Sequence, residues 1–395
     1  IKGAAGIAYA NRAFDYYLLT VFFEPVENIY TDISKVKGLT VPFVTEKTTG
    51  DDAKNNPRAT HDDMIKFILS DLDKAESLMD GYTPSSRLFP SLAVVYGLKA
   101  KVYLWDEKYD KAAEYARKAI DAFGGTPVTA EQWEDEKTGF NTANQAWMWY
   151  INYSGESMRN LANFTGWMSA EADWGYSSLT KPGMDRSLYD KIANTDFRKN
   201  TFLNPDKFAF HAYKTSRDAD FINSAPAYLG LKFRCKTGDW ETYSVGGAVD
   251  VPVMRVEEMY LIEAEAVGMS QGVGAGLAKL NSFMKTYRQP DYDFSTGDQR
   301  AFQIEVLTQM RIEFWGEGNA FPSAKRIKPD IIQNYVGTNA PADIFKLNLR
   351  GIKPNWNLVI PINEMDANAA LKGFNNPDPT AVVKGPIPIG QFANK

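Results

Sequence analysis

The 395-residue sequence contains one cysteine, Cys235, and only two histidines, His61 and His211. A single cysteine excludes an internal disulfide and any metal site built from several cysteines. The two histidines lie far apart in the sequence and offer little to a histidine-based metal site or a Ser-His-Asp triad. We therefore expect no metal, no cofactor and no catalytic residue.

Clusters of basic residues and long apolar runs are also missing. The formal net charge is -5 and the sequence pI is about 5.4, with both signs mixed along the chain. Binding to phosphate backbones requires clustered Lys and Arg, so nucleic acid is not an expected partner. No apolar run reaches the roughly 20 residues of a membrane-spanning helix.

Two motifs for phosphate and calcium are incomplete. The glycine-rich run Gly272-Val273-Gly274-Ala275-Gly276 lies between two predicted helices, whereas a dinucleotide-binding loop follows a strand. Asp51 and Asp52 lack the regular ligand spacing of a twelve-residue calcium loop. Turn formation accounts for both segments.

Aromatic side chains are abundant: they make up 13% of the sequence and include 9 Trp and 20 Tyr. A core of ordinary size does not require so many tryptophans. We therefore expect some of them to contact a flat, partly apolar ligand.

The spacing of apolar residues predicts a succession of helices. They cover residues 3–23, 60–79, 90–105, 109–123, 254–287 (a pair of helices) and 298–315. Ala100, Ala112 and Ala119 allow two antiparallel helices to approach closely, while Tyr103 and Tyr109 fill the gaps, as in tetratricopeptide repeats. Residues 254–287 repeat this pattern, and 60–79 pairs with 3–23. We predict an all-α fold, an α-α superhelix of tetratricopeptide-like helix hairpins.

The predicted organisation is one domain over residues 1–395. Residues 1–125 and 252–326 form the helical scaffold. Residues 126–251 are a loop-rich, aromatic-rich insert with short helices and at most a β-hairpin, and 327–395 form an irregular C-terminal region. Binding groups are often carried by loops on a rigid scaffold, which makes the insert the expected site.

The order of several segments resembles the SusD/RagB family over nearly the whole chain. The segments are Arg12-Ala13-Phe14-Asp15-Tyr16-Tyr17 with Gly38-Leu39-Thr40-Val41-Pro42-Phe43-Val44, Pro57-Arg58-Ala59-Thr60 with Ile68-Leu69-Ser70-Asp71-Leu72, Ala100-Lys101-Val102-Tyr103-Leu104, Pro252-Val253-Met254-Arg255-Val256-Glu257-Glu258, Arg311-Ile312-Glu313-Phe314-Trp315-Gly316-Glu317-Gly318 and Ile360-Pro361-Ile362-Asn363-Glu364. Their specificity lies in their joint order, because no single segment is diagnostic.

The resemblance implies a non-enzymatic lipoprotein on the extracellular face of the outer membrane of Bacteroidetes-type cells. Such a protein covers a SusC-like TonB-dependent transporter and binds an oligosaccharide, or in some branches a peptide. Ile1 opens directly into a helical pattern without a signal peptide or lipobox. We therefore expect a fragment whose lipid anchor, its only membrane contact, lies outside this sequence.

Aromatic rings next to amides and carboxylates are the candidates for glycan binding. Sugar C–H faces lie on aromatic planes, and sugar hydroxyls pair with planar polar groups. The candidate ligand-binding residues are Trp167, Trp174, Tyr176, Tyr30, Asn28, Trp240 and Tyr243. The alternative for each aromatic residue is a place in the core. That alternative is preferred for Trp105, Trp147, Trp149 and Trp315.

Two other functions are left open. Helix hairpins could hold a peptide in their groove. A glycoside hydrolase needs two carboxylates, and Glu313 and Glu317 lie on one helix face. A structural ion network of these acids with Arg311, Lys325 and Arg326 is the preferred account, and Arg255 with its neighbouring glutamates is interpreted in the same way.

Overall fold

The computed structural model describes residues 2–157, 160–206 and 213–381, and His211 lies outside them. This described part is mostly helical, which confirms the predicted all-α class. Its fifteen α-helices are α1 Lys2–Phe23, α2 Gly50–Ala53, α3 His61–Met79, α4 Leu92–Trp105, α5 Tyr109–Phe123, α6 Ala130–Glu134, α7 Phe164–Met168, α8 Arg186–Tyr189, α9 Ala219–Ser224, α10 Tyr243–Gly246, α11 Val256–Gln271, α12 Val273–Tyr287, α13 Gln299–Glu313, α14 Ala320–Ile327 and α15 Ile362–Ala367.

Strands and 3₁₀ turns are short. The strands are β1 Trp147–Asn152, β2 Asp250–Arg255, β3 Ile331–Ile332 and β4 Asn348–Leu349. The 3₁₀ turns are Gly175–Ser178, Phe197–Thr201, Lys236–Gly238, Asp343–Phe345, Pro354–Trp356 and Ala369–Leu371.

The chain forms two compact units. The first unit contains Ile1–Tyr82, Lys101–Lys108 and Phe321–Lys395, and the second contains Thr83–Ala100 and Tyr109–Ala320. The single-domain organisation stays a prediction.

In the first unit, α1 packs against α3, as the sequence predicts. Arg12 on α1 donates from Nε and Nη2 to the two carboxylate oxygens of the buried Asp71 on α3, at 2.6 and 2.8 Å. A charge-assisted pair of parallel hydrogen bonds fixes orientation as well as distance. Thr60 begins α3 as its N-cap, because its side chain accepts from the backbone N–H of Asp63.

The C-terminal end of α1 is capped by a buried lysine. Lys325 on α14 donates from Nζ to the carbonyl oxygens of Val21 at 2.8 Å and Glu24 at 2.9 Å. The last carbonyls of a helix have no partner within it, and a cation favours that end of its dipole. Burial lowers the pKa of Lys325 to about 7. The prediction that Lys325 pairs with Glu313 and Glu317 was therefore wrong.

In the second unit, α11 packs against α5, α12 and α13. Helix α4 contacts α5 through the rings of Tyr96 and Tyr115, whose centroids lie 6.1 Å apart. The predicted pair of helices over 254–287 is confirmed as α11 and α12. Gly272 joins them with a φ of 102°, a backbone conformation that glycine adopts without strain.

One pair of longer strands joins the loop-rich insert to the segment that follows it. β1 and β2 are antiparallel, with Ile151 opposite Val251 and Asn152 opposite Asp250. β1 ends at Asn152 and β2 begins at Asp250, so most of the insert lies between them and they do not form a local hairpin. This pairing brings the two ends of segment 153–249 together, beside the start of α11.

The second unit contains an ion network whose side chains are at most 2% exposed. Glu313 accepts hydrogen bonds from Arg288 at 2.7 and 2.9 Å, from Arg255 at 3.0 Å and from Arg198 at 3.1 Å. Burial alone would raise the pKa of Glu313, but Arg288, Arg255 and Arg198 outweigh it and hold that pKa well below its usual range.

Glu317 belongs to the same network. It accepts from Arg255 at 2.9 and 3.0 Å and from Lys232, whose pKa burial lowers to about 8. Arg255 also pairs with Glu257 at 3.0 Å. The predicted structural ion network is thus confirmed, but its basic partners were misassigned for Glu313 and Glu317, because they come from distant segments.

Candidate functional site

Two of the predicted site residues, Trp167 and Tyr176, form an exposed stacked pair in the second unit. Their ring centroids lie 4.0 Å apart, and the ring planes are inclined by 29°. Each side chain is about half exposed, 52% for Trp167 and 51% for Tyr176. Large aromatic side chains usually bury most of their surface, so two adjacent exposed rings are an informative feature.

Two short elements position the pair, and both pass close to the carbonyl oxygen of Leu161. Trp167 lies on α7, which Asn163 caps by accepting from the N–H of Gly166 at 2.8 Å. Tyr176 lies in the 3₁₀ turn that begins at Gly175, where φ is +64°. A Cβ atom on Gly166 or Gly175 would come within 2.4 or 2.5 Å of the Leu161 carbonyl oxygen. Both glycines are therefore required for this close approach.

Trp174 does not share this exposure. Its side chain is 4% exposed and packs in a core cluster with Ala172 and Cys235. Its ring also fills the space above Gly246, where a Cβ atom would lie 2.8 Å from the indole. The expectation that Trp174 offers an open ring is wrong, and the residue forms part of the support beneath the site.

Trp240 and Tyr243 are half-buried against the same cluster. The guanidinium of Arg217 lies 3.8 Å from the centroid of the Trp240 ring, a cation–π contact. The carbonyl oxygen of Trp240 accepts from the N–H of Asp173 at 2.9 Å, which ties this loop to the one that carries Tyr176. A direct ligand contact for Trp240 and Tyr243 stays a prediction.

Tyr30 and Asn28 belong to the first unit, and their contacts are structural. Tyr30 is 1% exposed, and its hydroxyl oxygen accepts from the N–H of Arg350 at 2.6 Å. The Asn28 side chain accepts from the N–H groups of Tyr30 and Thr31, both at 2.9 Å, and so closes a turn. The expectation that Tyr30 is an exposed platform is wrong, because this ring is sealed in the core.

Polar side chains lie on the same loops as the exposed pair. Asn160 and Asp173 are exposed, and Asn163 is half-buried. Lys181 donates to the carbonyl oxygen of Ala172 at 3.1 Å, and burial lowers its pKa. The arrangement offers flat apolar faces with amide and carboxylate groups close by in sequence, which suits a ligand with both apolar faces and hydroxyls.

The described residues contain no group of three or more His, Cys, Asp and Glu side chains that could hold a metal ion. Within the same residues, no helix has the length and apolar character needed to cross a membrane.

Several solved structures share this architecture. A SusD-like carbohydrate-binding protein from Bacteroides vulgatus ATCC 8482 is 20% identical, with a TM-score of 0.73 over 95% of this chain and 78% of that one. A SusD superfamily protein from Bacteroides thetaiotaomicron VPI-5482 is 18% identical, with a TM-score of 0.66 over 94% and 77%. A SusD-like carbohydrate-binding protein from Bacteroides fragilis NCTC 9343 is 15% identical, with a TM-score of 0.60 over 94% and 80%.

These similarities define the class of fold. The chain has the SusD-like fold, an all-α scaffold of tetratricopeptide-like hairpins with a loop-rich insert. No protein-family model and no curated protein matches the sequence.

Proposed function

We propose that this chain is a SusD/RagB-type surface protein that captures an oligosaccharide and delivers it to a SusC-like TonB-dependent transporter. It acts without catalysis, at the extracellular face of the outer membrane, where a lipid anchor holds it. The SusD-like fold supports the proposal, as does the description of two of the named neighbours as carbohydrate-binding proteins. The observation that carries it is the exposed stack of Trp167 on Tyr176.

In the proposed mechanism, a sugar ring lays its C–H face on the outward face of Trp167 or Tyr176. We expect each aromatic–sugar contact to contribute on the order of 1 kcal/mol, similar to the value for a pair of aromatic rings. The hydroxyls of the sugar then pair with polar groups of the same loops, for which Asn160 and Asp173 are the exposed candidates. Each contact is weak, so capture is reversible and the ligand can be passed on.

Preorganisation makes such weak contacts effective. The stack holds both rings in place before the ligand arrives, and the glycines at positions 166 and 175 fix the backbone beneath them. Binding therefore loses little side-chain entropy, which is one of the main costs of association.

The hydrolase alternative has less support. Glu313 and Glu317 are both buried, and each is engaged by several cations. A general acid requires a raised pKa, whereas the surrounding guanidinium groups hold the pKa of Glu313 down. A structural role for both residues is the better account.

A paired screen tests the ligand class. We expect the purified chain to bind members of an array of neutral oligosaccharides and to leave labelled oligosaccharides intact. Selective capture from an array of peptides, with no glycan bound, would favour the peptide-binding alternative. Co-purification with a co-expressed TonB-dependent transporter from the same gene cluster tests delivery separately.

A further inference from the structure

The first unit contains an open pocket of about 610 Å³, formed by the loop between α1 and α3. All of its lining residues except Phe43 are polar, and they include Lys47, Asp51, Asn55 and Asn56. The volume lies within the range of about 300–1,000 Å³ that is typical of small-molecule sites. None of these residues belongs to the site at Trp167 and Tyr176.

One wall of the pocket is held by the helices beneath it. The Tyr16 hydroxyl on α1 accepts from the N–H of Val44 at 2.7 Å and donates to the carbonyl oxygen of the same residue at 3.1 Å. The ring of Phe43 packs on that of Phe67 on α3, with centroids 4.9 Å apart. This part of the loop is therefore fixed relative to both helices.

A second part of the lining is held by the C-terminal region of the same unit. The N–H of Asn56 donates to the side chain of Asn368 at 2.9 Å, and the amide of Asn368 donates back to the Asn56 carbonyl at 2.7 Å. The N–H of Ala369 donates to the Lys54 carbonyl at 2.8 Å. The backbone of the lining is therefore anchored at two places, which limits the entropy lost on binding.

Several polar groups remain available inside this frame. The side chains of Lys47 and Asn55 are exposed and form no hydrogen bond within the described residues. The amide nitrogen of Asn56 donates to the Phe43 carbonyl, which leaves its oxygen open to a ligand. The carboxylate of Asp51 is balanced by Lys54 at 2.8 Å. The pocket thus offers donors and acceptors with little unbalanced charge.

Hydroxyl groups match such a lining, because each can donate and accept at once. An apolar ligand would leave these groups unpaired, and a strongly anionic one would meet Asp51 and Asp52 as well as Lys47. Phe43, half-buried at the edge, offers an apolar surface to a C–H face. We propose that this pocket is a second binding site for a neutral saccharide. The expected ligand class rests on the proposed function. The pocket shares no residue with the site at Trp167 and Tyr176, so an experiment can exclude one site and leave the other.

Titration calorimetry with maltotriose, cellotriose, xylotriose and mannotriose tests the proposal. The variant Asn55→Trp fills the pocket, and Asn355→Trp is a matched control on another exposed asparagine of the same unit. Far-ultraviolet circular dichroism and thermal unfolding verify that both variants fold. We expect Asn55→Trp to weaken binding of at least one trisaccharide tenfold or more, and Asn355→Trp to leave it unchanged.

A double variant separates the two sites. Replacing both Trp167 and Tyr176 by alanine should leave the binding of trisaccharides that depends on Asn55 unchanged, even where it weakens binding at the site in the second unit. The pocket proposal is overturned if Asn55→Trp binds every trisaccharide as the unaltered protein does, including the case in which none binds. The proposed site in the second unit fails instead if the double alanine variant binds every trisaccharide as the unaltered protein does, including those whose binding Asn55→Trp leaves unchanged.

Discussion

Trp167 and Tyr176 each cover one face of the other, since their ring centroids lie 4.0 Å apart. A ligand can therefore reach only the outward faces and the edges of the pair. The two rings act as one rigid platform, so the consequences of changing either ring depend on the other.

Substitutions at Tyr176 should separate ring stacking from hydroxyl chemistry. Tyr176→Phe keeps the stack with Trp167, so we expect less than a twofold change in glycan affinity. Tyr176→Ala removes one sugar-binding face and the ring that holds Trp167 in place, so we expect it to cost on the order of 1 kcal/mol of binding free energy, similar to the value for a pair of aromatic rings. Calorimetry on both variants measures the difference. Equal losses in the two variants would show that the hydroxyl, not the ring, carries the contact.

Trp174 and Trp167 should differ in their contributions to stability. Trp174→Ala leaves a cavity in the cluster with Ala172 and Cys235, which predicts a loss of about 3–5 kcal/mol in the free energy of unfolding. Trp167→Ala removes an exposed ring and should cost under about 1 kcal/mol. Urea unfolding of both variants makes the comparison. A stable Trp174→Ala protein would contradict the supporting role.

The buried ion network predicts that removing the carboxylate of Glu313 lowers the free energy of unfolding far more than removing that of the surface residue Glu114. Glu313→Gln leaves three guanidinium groups without their shared anion, which should cost about 3–5 kcal/mol of stability. Glu114 pairs with Lys111 and Lys118 at the surface, so Glu114→Gln should cost under about 1 kcal/mol. Thermal unfolding of the two variants tests this. Comparable melting temperatures would argue against a structural role for Glu313.

His61 predicts a dependence of stability on pH. Its Nδ1 lies 2.9 Å from Glu24 and its Nε2 lies 3.1 Å from Asp106, so both ring nitrogens face carboxylates. The hydrogen bond to Glu24 is the main cause that raises the pKa of His61 to about 9, from an ordinary 6.5. Because the folded state binds the proton more tightly, this stabilisation is complete below about pH 6.5 and is lost as the pH rises towards 9.

Urea unfolding between pH 6 and 10 measures this effect against His61→Gln. Glutamine cannot carry the charge, so the variant should be less stable by about 1.5–3 kcal/mol at pH 6 and converge with the unaltered protein near pH 10. A constant difference across the range would indicate that packing, rather than protonation, accounts for the contribution of His61.

The helical scaffold was predictable because its signals are local. Apolar spacing and the N-cap at Thr60 define α3, and small residues such as Ala112 and Ala119 indicate the packing of α5. Helices α11 and α12 followed from the same pattern, with Gly272 at their junction. The 3.6-residue period of apolar positions can be recognised within a single helix, independently of the elements against which that helix packs.

The sequence predicted which segment carries the candidate site, but not which of its aromatic side chains are exposed. Trp167, Trp174 and Tyr176 share similar local composition, yet Trp174 is buried while the other two are exposed. The buried Trp174 ring packs over Gly246, about seventy residues further along the chain, where a Cβ atom would lie 2.8 Å from the ring. An aperiodic loop carries no sequence signal for such a contact.

The partners of Glu313 were hidden for a similar reason. Arg198 is separated from it by 115 residues, and Arg255 by 58 residues. The basic residues next to Glu313 in sequence were the natural candidates, but Lys325 binds backbone carbonyls instead. A buried carboxylate requires cations, and the fold decides which ones reach it.

In the proposed function, the outward faces of Trp167 and Tyr176 hold a sugar ring. This is tested by calorimetry, in which an oligosaccharide that the unaltered protein binds is titrated into the Trp167→Ala, Tyr176→Ala double variant. The control is Phe345→Ala, which removes a ring of similar exposure, 54%, from the first unit. Binding at this site should fall at least tenfold in the double variant and stay unchanged in the control. Equal affinity in the double variant and the unaltered protein would contradict the claim.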